Sequence, residues 1–141
     1  VPVESQTAKW EVPKELRFPV QADAVLRKRQ ALRKELLKQA NLLPVRVAIL
    51  GGSTTQEIRS ILELFLLAQG IEPSFYESEY NAWHEEVLFE KPELWNFKPE
   101  IALVHTTWHN VTGFPSLLAP EAEVDECLRR EMGRFEAFWE K

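Results

Sequence analysis

The order of hydrophobic patterns predicts an α/β fold with a parallel sheet. Three observations carry that prediction. Strand-like and helix-like periodicities alternate along the chain, the arrangement that right-handed crossovers turn into a parallel sheet. The run "VRVAIL" (45–50) is apolar on both faces after Arg46, as a central parallel strand requires. Pro73 in "IEPSFYES" (71–78) cannot donate to a ladder, so that strand belongs near an edge. With a third strand further on, the expected order is 2-1-3, the beginning of a three-layer flavodoxin-like sheet. Three strands are few for such a fold, so the chain is expected to be part of something longer.

The elements follow in order. Pro2, Pro13 and Pro19 break the first 20 residues into an extended arm, expected to lie on a surface through Trp10 and Phe18. Residues 22–40 have helical spacing, with Val25, Leu26, Leu32, Leu36 and Leu37 on one side. The other side is basic: Arg27, Lys28, Arg29, Arg33, Lys34 and Lys38. That face is either solvated or a docking surface for an acidic partner. After the strand at 45–50, a helix over 54–69 buries Ile58, Ile61, Leu62, Phe65 and Leu66, and stops at Gly70, a residue suited to a helix end. The second strand (71–78) leads to a short helix at 80–89 and a loop with Trp95 and Phe97 turned inward. "EIALVHTT" (100–107) is the third strand, "WHNVTGFPSLLAP" a long loop, and an amphipathic helix starts at Pro120. This divides the chain into an arm with a basic helix (1–44) and an α/β domain (45–141).

Composition narrows the function classes. With 45% hydrophobic and 28% charged residues, the 141-residue chain can fold around a core of one ordinary domain. A net charge of −5 argues against a dedicated nucleic-acid binder. No apolar stretch is long enough to cross a bilayer, so no membrane partner is expected. Val1 at the start, with no signal-peptide pattern, points to a fragment or processed chain. The single cysteine, Cys127, excludes an internal disulfide framework and fits a reducing cytoplasm.

Neighbouring parallel strands 1 and 3 place two segments at one crevice: the "GGSTT" turn (51–55) and the "TTWHN" loop (106–110). Ser53 there has three readings. It is a nucleophile at the end of a strand, part of an anion-binding helix start, or an element of a capping turn. A nucleophilic serine needs a base. His109 is in the loop after strand 3 and is the candidate, while His105 is read as a core residue and His84 as a surface one. Gly52, Thr54, Thr55, Thr106, Thr107 and Asn110 are the candidate binding residues, with Asn110 as an amide donor to an oxyanion. Glu77 or Glu79 would have to orient a histidine, because Asp23 and Asp125 lie elsewhere. The capping reading rests on Thr54 and Glu57, whose spacing matches a capping box. A phosphate loop would need a lysine that is absent. The histidines match no zinc spacing, so neither a metal nor a cofactor is expected in this chain.

"VRVAILGGSTTQEIRSILELFLLAQGIEPSFYESEYNAW" and "LWNFKPEIALVHTT" resemble the amino-terminal domain of FkbH-like proteins. The likeness spans residues 45–107, and the "GGSTT" turn with "FYESEYN" is its most specific part. It implies an SGNH-hydrolase-like fold joined, in such proteins, to a phosphatase-like domain of the haloacid dehalogenase superfamily. Some members load a glyceryl group onto an acyl carrier protein for polyketide extension, and related proteins occur in surface-polysaccharide clusters. The superfamily's Asp-x-Asp pair is absent here, so magnesium-dependent phosphoryl chemistry would lie outside this chain.

Set against the SGNH blocks, Gly51-Gly52-Ser53 keeps the serine of Gly-Asp-Ser and replaces the aspartate by glycine. His109-Asn110 stands where Gly-x-Asn-Asp supplies an oxyanion asparagine. Asp125-Glu126-Cys127-Leu128 lacks the histidine of Asp-x-x-His. The resemblance therefore implies a domain that binds or positions a carrier-linked acyl or glyceryl group, with hydrolysis weak or absent. The expected partners are an acyl carrier protein, met by the basic helix, and the remaining domains of a longer parent. Two alternatives stand beside it: a serine esterase or acyltransferase using Ser53 and His109, and a non-catalytic interaction domain whose crevice is closed by Trp108 or Phe114.

Overall fold

The computed structural model describes residues 11–39 and 41–141. Its strands are β1 (Leu43–Gly51), β2 (Ile71–Glu77) and β3 (Ile101–His105), parallel and in the order β2-β1-β3. β1 and β3 pair in register from Val47 opposite Ile101 to Gly51 opposite His105. The central position of β1 explains its composition, since Val47, Ala48, Ile49 and Leu50 are all buried. The predicted α/β class and strand order are the observed ones.

The described chain forms two compact units. The first comprises the described residues up to Val45 and Gln56–Ser74. In it α1 (Ala22–Leu36) packs on α2 (Gln56–Ala68). Leu32 and Leu36 of α1 share a core with Leu64 and Leu67 of α2 and with Leu16, which a short 3₁₀ turn over Lys14–Leu16 brings in. Leu26, read as part of the buried stripe, is half exposed, and Phe18 is fully out in solvent rather than lying on a surface. Residues 1–10 of the predicted arm, Trp10 among them, lie outside the described residues. Gly70 ends α2 with φ 81°, a backbone state that costs glycine little. Half of the basic face of α1 is already neutralised: Lys28 pairs with Glu15, Arg29 with Glu57 and Arg33 with Glu63, each within 2.8 Å.

The second unit is Arg46–Thr55 with Phe75–Lys141. Its core is aromatic. Trp83 of α3 (Trp83–Leu88) is almost fully buried and lies 5.5 Å from the ring of Phe135 and 5.3 Å from that of Phe138, both on α5 (Glu121–Trp139). Ala48 and Leu50 of β1 complete this cluster with Val87 and Leu94. The segment read as a loop contains a further helix, α4 (Pro92–Phe97). Pro92 fits its first turn, where no N–H is needed, and Lys98 closes it in the left-handed conformation at φ 51°. Leu94 is the residue α4 buries; Trp95, expected inside, is 42% exposed, and Phe97 is half-buried against Tyr76. α5 turns Phe138 inward but leaves Val124, Leu128 and Met132 exposed at four-residue spacing along one side.

A buried carboxylate organises the segment after β2. Glu86 is 4% exposed and accepts hydrogen bonds from the Tyr76 hydroxyl (2.7 Å), the Glu79 backbone N–H (2.8 Å) and the Lys91 ammonium (3.0 Å). Lys91 also reaches Glu79 at 2.7 Å. A buried charge is tolerated when its acceptor positions are filled in this way. The network fixes the chain from Tyr76 to Lys91 and so sets the path of the loop that contains Asn81.

Candidate functional site

The site is built at the carboxyl ends of β1 and β3. Because the two strands are parallel neighbours in register, the turn after Gly51 and the loop after His105 emerge side by side. The backbone N–H of Gly52 donates to the His105 carbonyl at 2.9 Å and extends the ladder into the turn. The next residue, Ser53, is half-buried, and its Oγ lies 3.3 Å from Nδ1 of His105. With Nδ1 unprotonated, the serine hydroxyl donates to it, the relation that a general base requires.

The histidine at Ser53 is therefore His105, which the sequence reading assigned to the core, and not His109. The reason is register. His105 is the last residue of β3 and stands opposite Gly51, so its ring reaches the turn rather than the core. His109 sits in a short 3₁₀ turn over Trp108–Asn110, is exposed, and has its ring 3.6 Å from that of Trp108. His84 is half-buried, and its Nε2–H donates to the Arg134 carbonyl at 3.3 Å.

Asn110 ties the turn after β1 to the loop after β3. Its Nδ2 donates to the Gly52 carbonyl at 3.0 Å and to Asn81 Oδ1 at 2.8 Å, and its Oδ1 accepts from the Thr107 backbone N–H at 2.7 Å. Both amide hydrogens are thus engaged, which leaves none for an oxyanion. Asn81, at φ 58°, holds the left-handed conformation that asparagine adopts more readily than most residues. The contact with Gly52 is so close that a Cβ there would meet the Asn110 amide at 2.2 Å. The missing side chain of Gly52 makes room for this clasp. Gly51 is equally constrained, by Thr55 Cγ2 at 2.4 Å from the position of a Cβ, and its N–H donates to Ser78 Oγ at 2.9 Å.

The remaining candidates fall into place around this pair. Thr55 is buried and its hydroxyl donates to Glu77 at 3.0 Å. Thr54 is exposed, and α2 starts at Gln56, one residue later than a Thr54–Glu57 capping box needs; Glu57 pairs with Arg29 instead. Thr106 is half-buried, and Thr107 contacts Asn110 through backbone and hydroxyl. Among the described residues no carboxylate hydrogen-bonds His105: Glu77 binds Thr55, and Glu79 binds Lys91, which holds its carboxyl below the ordinary range through that hydrogen bond and the ammonium charge. Among the described residues there is also no group of three or more His, Cys, Asp or Glu side chains placed to hold a metal, and no helix long and apolar enough to cross a membrane.

No protein-family model and no curated protein matches the chain. A solved structure does: the N-terminal part of the protein BF1531 from Bacteroides fragilis, containing a phosphatase domain and complexed with Mg. Sequence identity is 18% and the TM-score 0.62, and the match covers 79% of this chain and 30% of that one. At this identity the likeness is one of fold. The chain spans less than a third of the length of that neighbour.

Proposed function

We propose that the chain is the SGNH-like amino-terminal domain of an FkbH-like protein, and that it binds or positions a carrier-linked acyl or glyceryl group at Ser53 and His105. The observation that carries this reading is the 3.3 Å approach of Ser53 Oγ to His105 Nδ1 at the carboxyl edge of adjacent parallel strands. The fold likeness to the N-terminal part of a phosphatase-domain protein supports the setting, a domain working beside others in a longer chain. Phosphoryl chemistry in such a protein falls to the phosphatase-like domain.

Positioning is favoured over rapid hydrolysis by what surrounds the pair. Loss of the orienting carboxylate from a serine–histidine–aspartate triad lowers turnover by about 10⁴. Loss of one oxyanion donor lowers it by about 10²–10³. Among the described residues His105 has no carboxylate partner, and Gly51 N–H, Gly52 N–H and the Asn110 amide are engaged in structure. A serine–histidine pair without an orienting carboxylate holds a polar acyl end better than it turns it over. The partner-facing surface in this reading is the part of α1 and the turn after it that is free of ion pairs among the described residues: Arg27, Lys34 and Lys38.

A second reading, acyl transfer through Ser53 with His105 as base, is favoured by the same distance and is separated by one experiment. The protein is treated with a serine-reactive fluorophosphonate and, separately, with an acyl-pantetheine thioester, while the imidazole resonances are followed by NMR. Binding without covalent chemistry shifts the His105 signals and leaves Ser53 unlabelled. A stable adduct at Ser53, absent in Ser53→Ala, establishes the transfer reading. Unchanged His105 resonances with no adduct remove both.

A further inference from the structure

A cavity of about 450 Å³ opens in the second unit, away from the residues of the Ser53 crevice. Its volume lies in the range of small-molecule sites, about 300–1,000 Å³. The floor follows from the sheet. Ala48 and Leu50, two apart on β1, face the same side, and Ala102 of β3 is the register partner of Ala48. Two methyl side chains lie next to each other where larger residues would have filled the space. Phe138 walls the cavity, and Trp95 and Trp139, 42% and 66% exposed, stand at its rim. Exposed tryptophan beside an open apolar hollow is unusual for a surface at rest.

The charges lining this cavity have one sign. The chain carries 22 acidic residues against 17 basic ones, yet the charged side chains here are Lys98 and Lys141. Lys141 is neutralised by Glu90 at 2.8 Å. Lys98 forms no ion pair among the described residues, and its backbone is held in place: it closes α4 in the left-handed conformation, and Arg46 Nε donates to its carbonyl at 2.7 Å. An apolar hollow with one ammonium at its edge, unpaired among the described residues and carried on a fixed backbone, fits a particular ligand shape.

We propose that this cavity binds a single alkyl chain carrying an anionic head, with the head at Lys98 and the chain over Ala48 and Ala102. The proposal does not depend on the Ser53 reading, since the two sites share no residue. The test is titration of the full chain with dodecanoate, dodecyltrimethylammonium and acetate, below micelle formation, read by tryptophan fluorescence and calorimetry. Dodecanoate binds saturably at one site, acetate does not bind, and the cationic amphiphile binds more weakly. Lys98→Glu weakens dodecanoate by about fivefold, the order of a partly exposed ion pair, and improves binding of the cation. Ala102→Phe, at an exposed edge position, abolishes binding with the thermal midpoint unchanged. Absence of dodecanoate binding, equal binding of both amphiphiles, or binding indifferent to both variants overturns the proposal. So does a concentration-dependent dimer in sedimentation that dodecanoate leaves intact, because a second copy would then cover the cavity.

Discussion

Two polar centres in the same unit are built on opposite plans. Glu86 is buried and accepts from Tyr76, Glu79 and Lys91 at 2.7–3.0 Å, so its oxygens are well supplied. Ser53 and His105 are half-buried and meet through one contact at 3.3 Å. The first is what a buried charge needs if the fold is to survive it. The second leaves a half-buried hydroxyl and ring with spare hydrogen-bonding capacity. In the proposed function the difference separates a group that serves the fold from a pair available to a ligand, and it can be broken from either end.

The largest effect is expected at Glu86. Glu86→Ala leaves the Tyr76 hydroxyl and the Lys91 ammonium without their buried acceptor, and should lower stability by about 3–5 kcal/mol in denaturant titration. Gly52→Ala comes next. The new methyl would sit 2.2 Å from the Asn110 amide, so the clasp must open, at about 1–3 kcal/mol for an overpacked site. The same variant should broaden or shift the His105 imidazole resonances, because Asn110 ties the loop after β3 to the turn. Unaltered His105 signals in Gly52→Ala would remove the clasp from any role in arranging the pair.

Much of this frame was legible in the sequence. Two-sided apolarity placed "VRVAIL" at the centre, and Pro73 placed β2 at an edge, because both follow from ladder hydrogen bonding alone. Parallel adjacency then brought the serine turn to the loop after β3. The choice of histidine was not legible in the same way. Four apolar residues before His105 made it read as core, and only the pairing of Gly51 with His105 shows that the strand ends there. A histidine on the last position of a strand in such a sheet was the available signal. The role of Asn110 depends on a contact across 58 residues, which no local pattern encodes. α4 escaped because six residues hold too few turns for a periodicity, although Pro92 marked its start.

A smaller effect, about 1 kcal/mol for one hydrogen bond, is expected at Tyr76, and pH exposes it. Burial, then the hydrogen bond to Glu86 and its charge, push the Tyr76 phenol up to about 12 from the ordinary 10.0. The folded state therefore holds the proton more tightly than the unfolded state. Its contribution to stability is complete below pH 10 and is lost as pH rises toward 12. Lys91, raised above its ordinary value by its hydrogen bonds to Glu79 and Glu86, adds loss in the same direction. In a Tyr80→Phe background the tyrosinate absorbance should rise with a midpoint near 12. A midpoint at the ordinary value would mean that Tyr76 is neither buried nor bonded to Glu86.

The smallest stability effect is expected at Ser53 itself, and that smallness is the sharpest form of the comparison. Ser53→Ala removes one hydroxyl whose recorded side-chain partner is His105, at a distance near the long limit for such a bond. The ring is half-buried, so water can replace the lost contact, and the change in unfolding free energy should stay within about 0.5 kcal/mol. Equilibrium denaturation of Ser53→Ala and Glu86→Ala side by side measures the contrast directly. If Ser53→Ala were to cost as much as Glu86→Ala, the serine would be part of the fold's own polar framework. Near-neutral stability together with lost response of His105 to an acyl-pantetheine thioester would instead locate the role of the hydroxyl in the ligand-bound state.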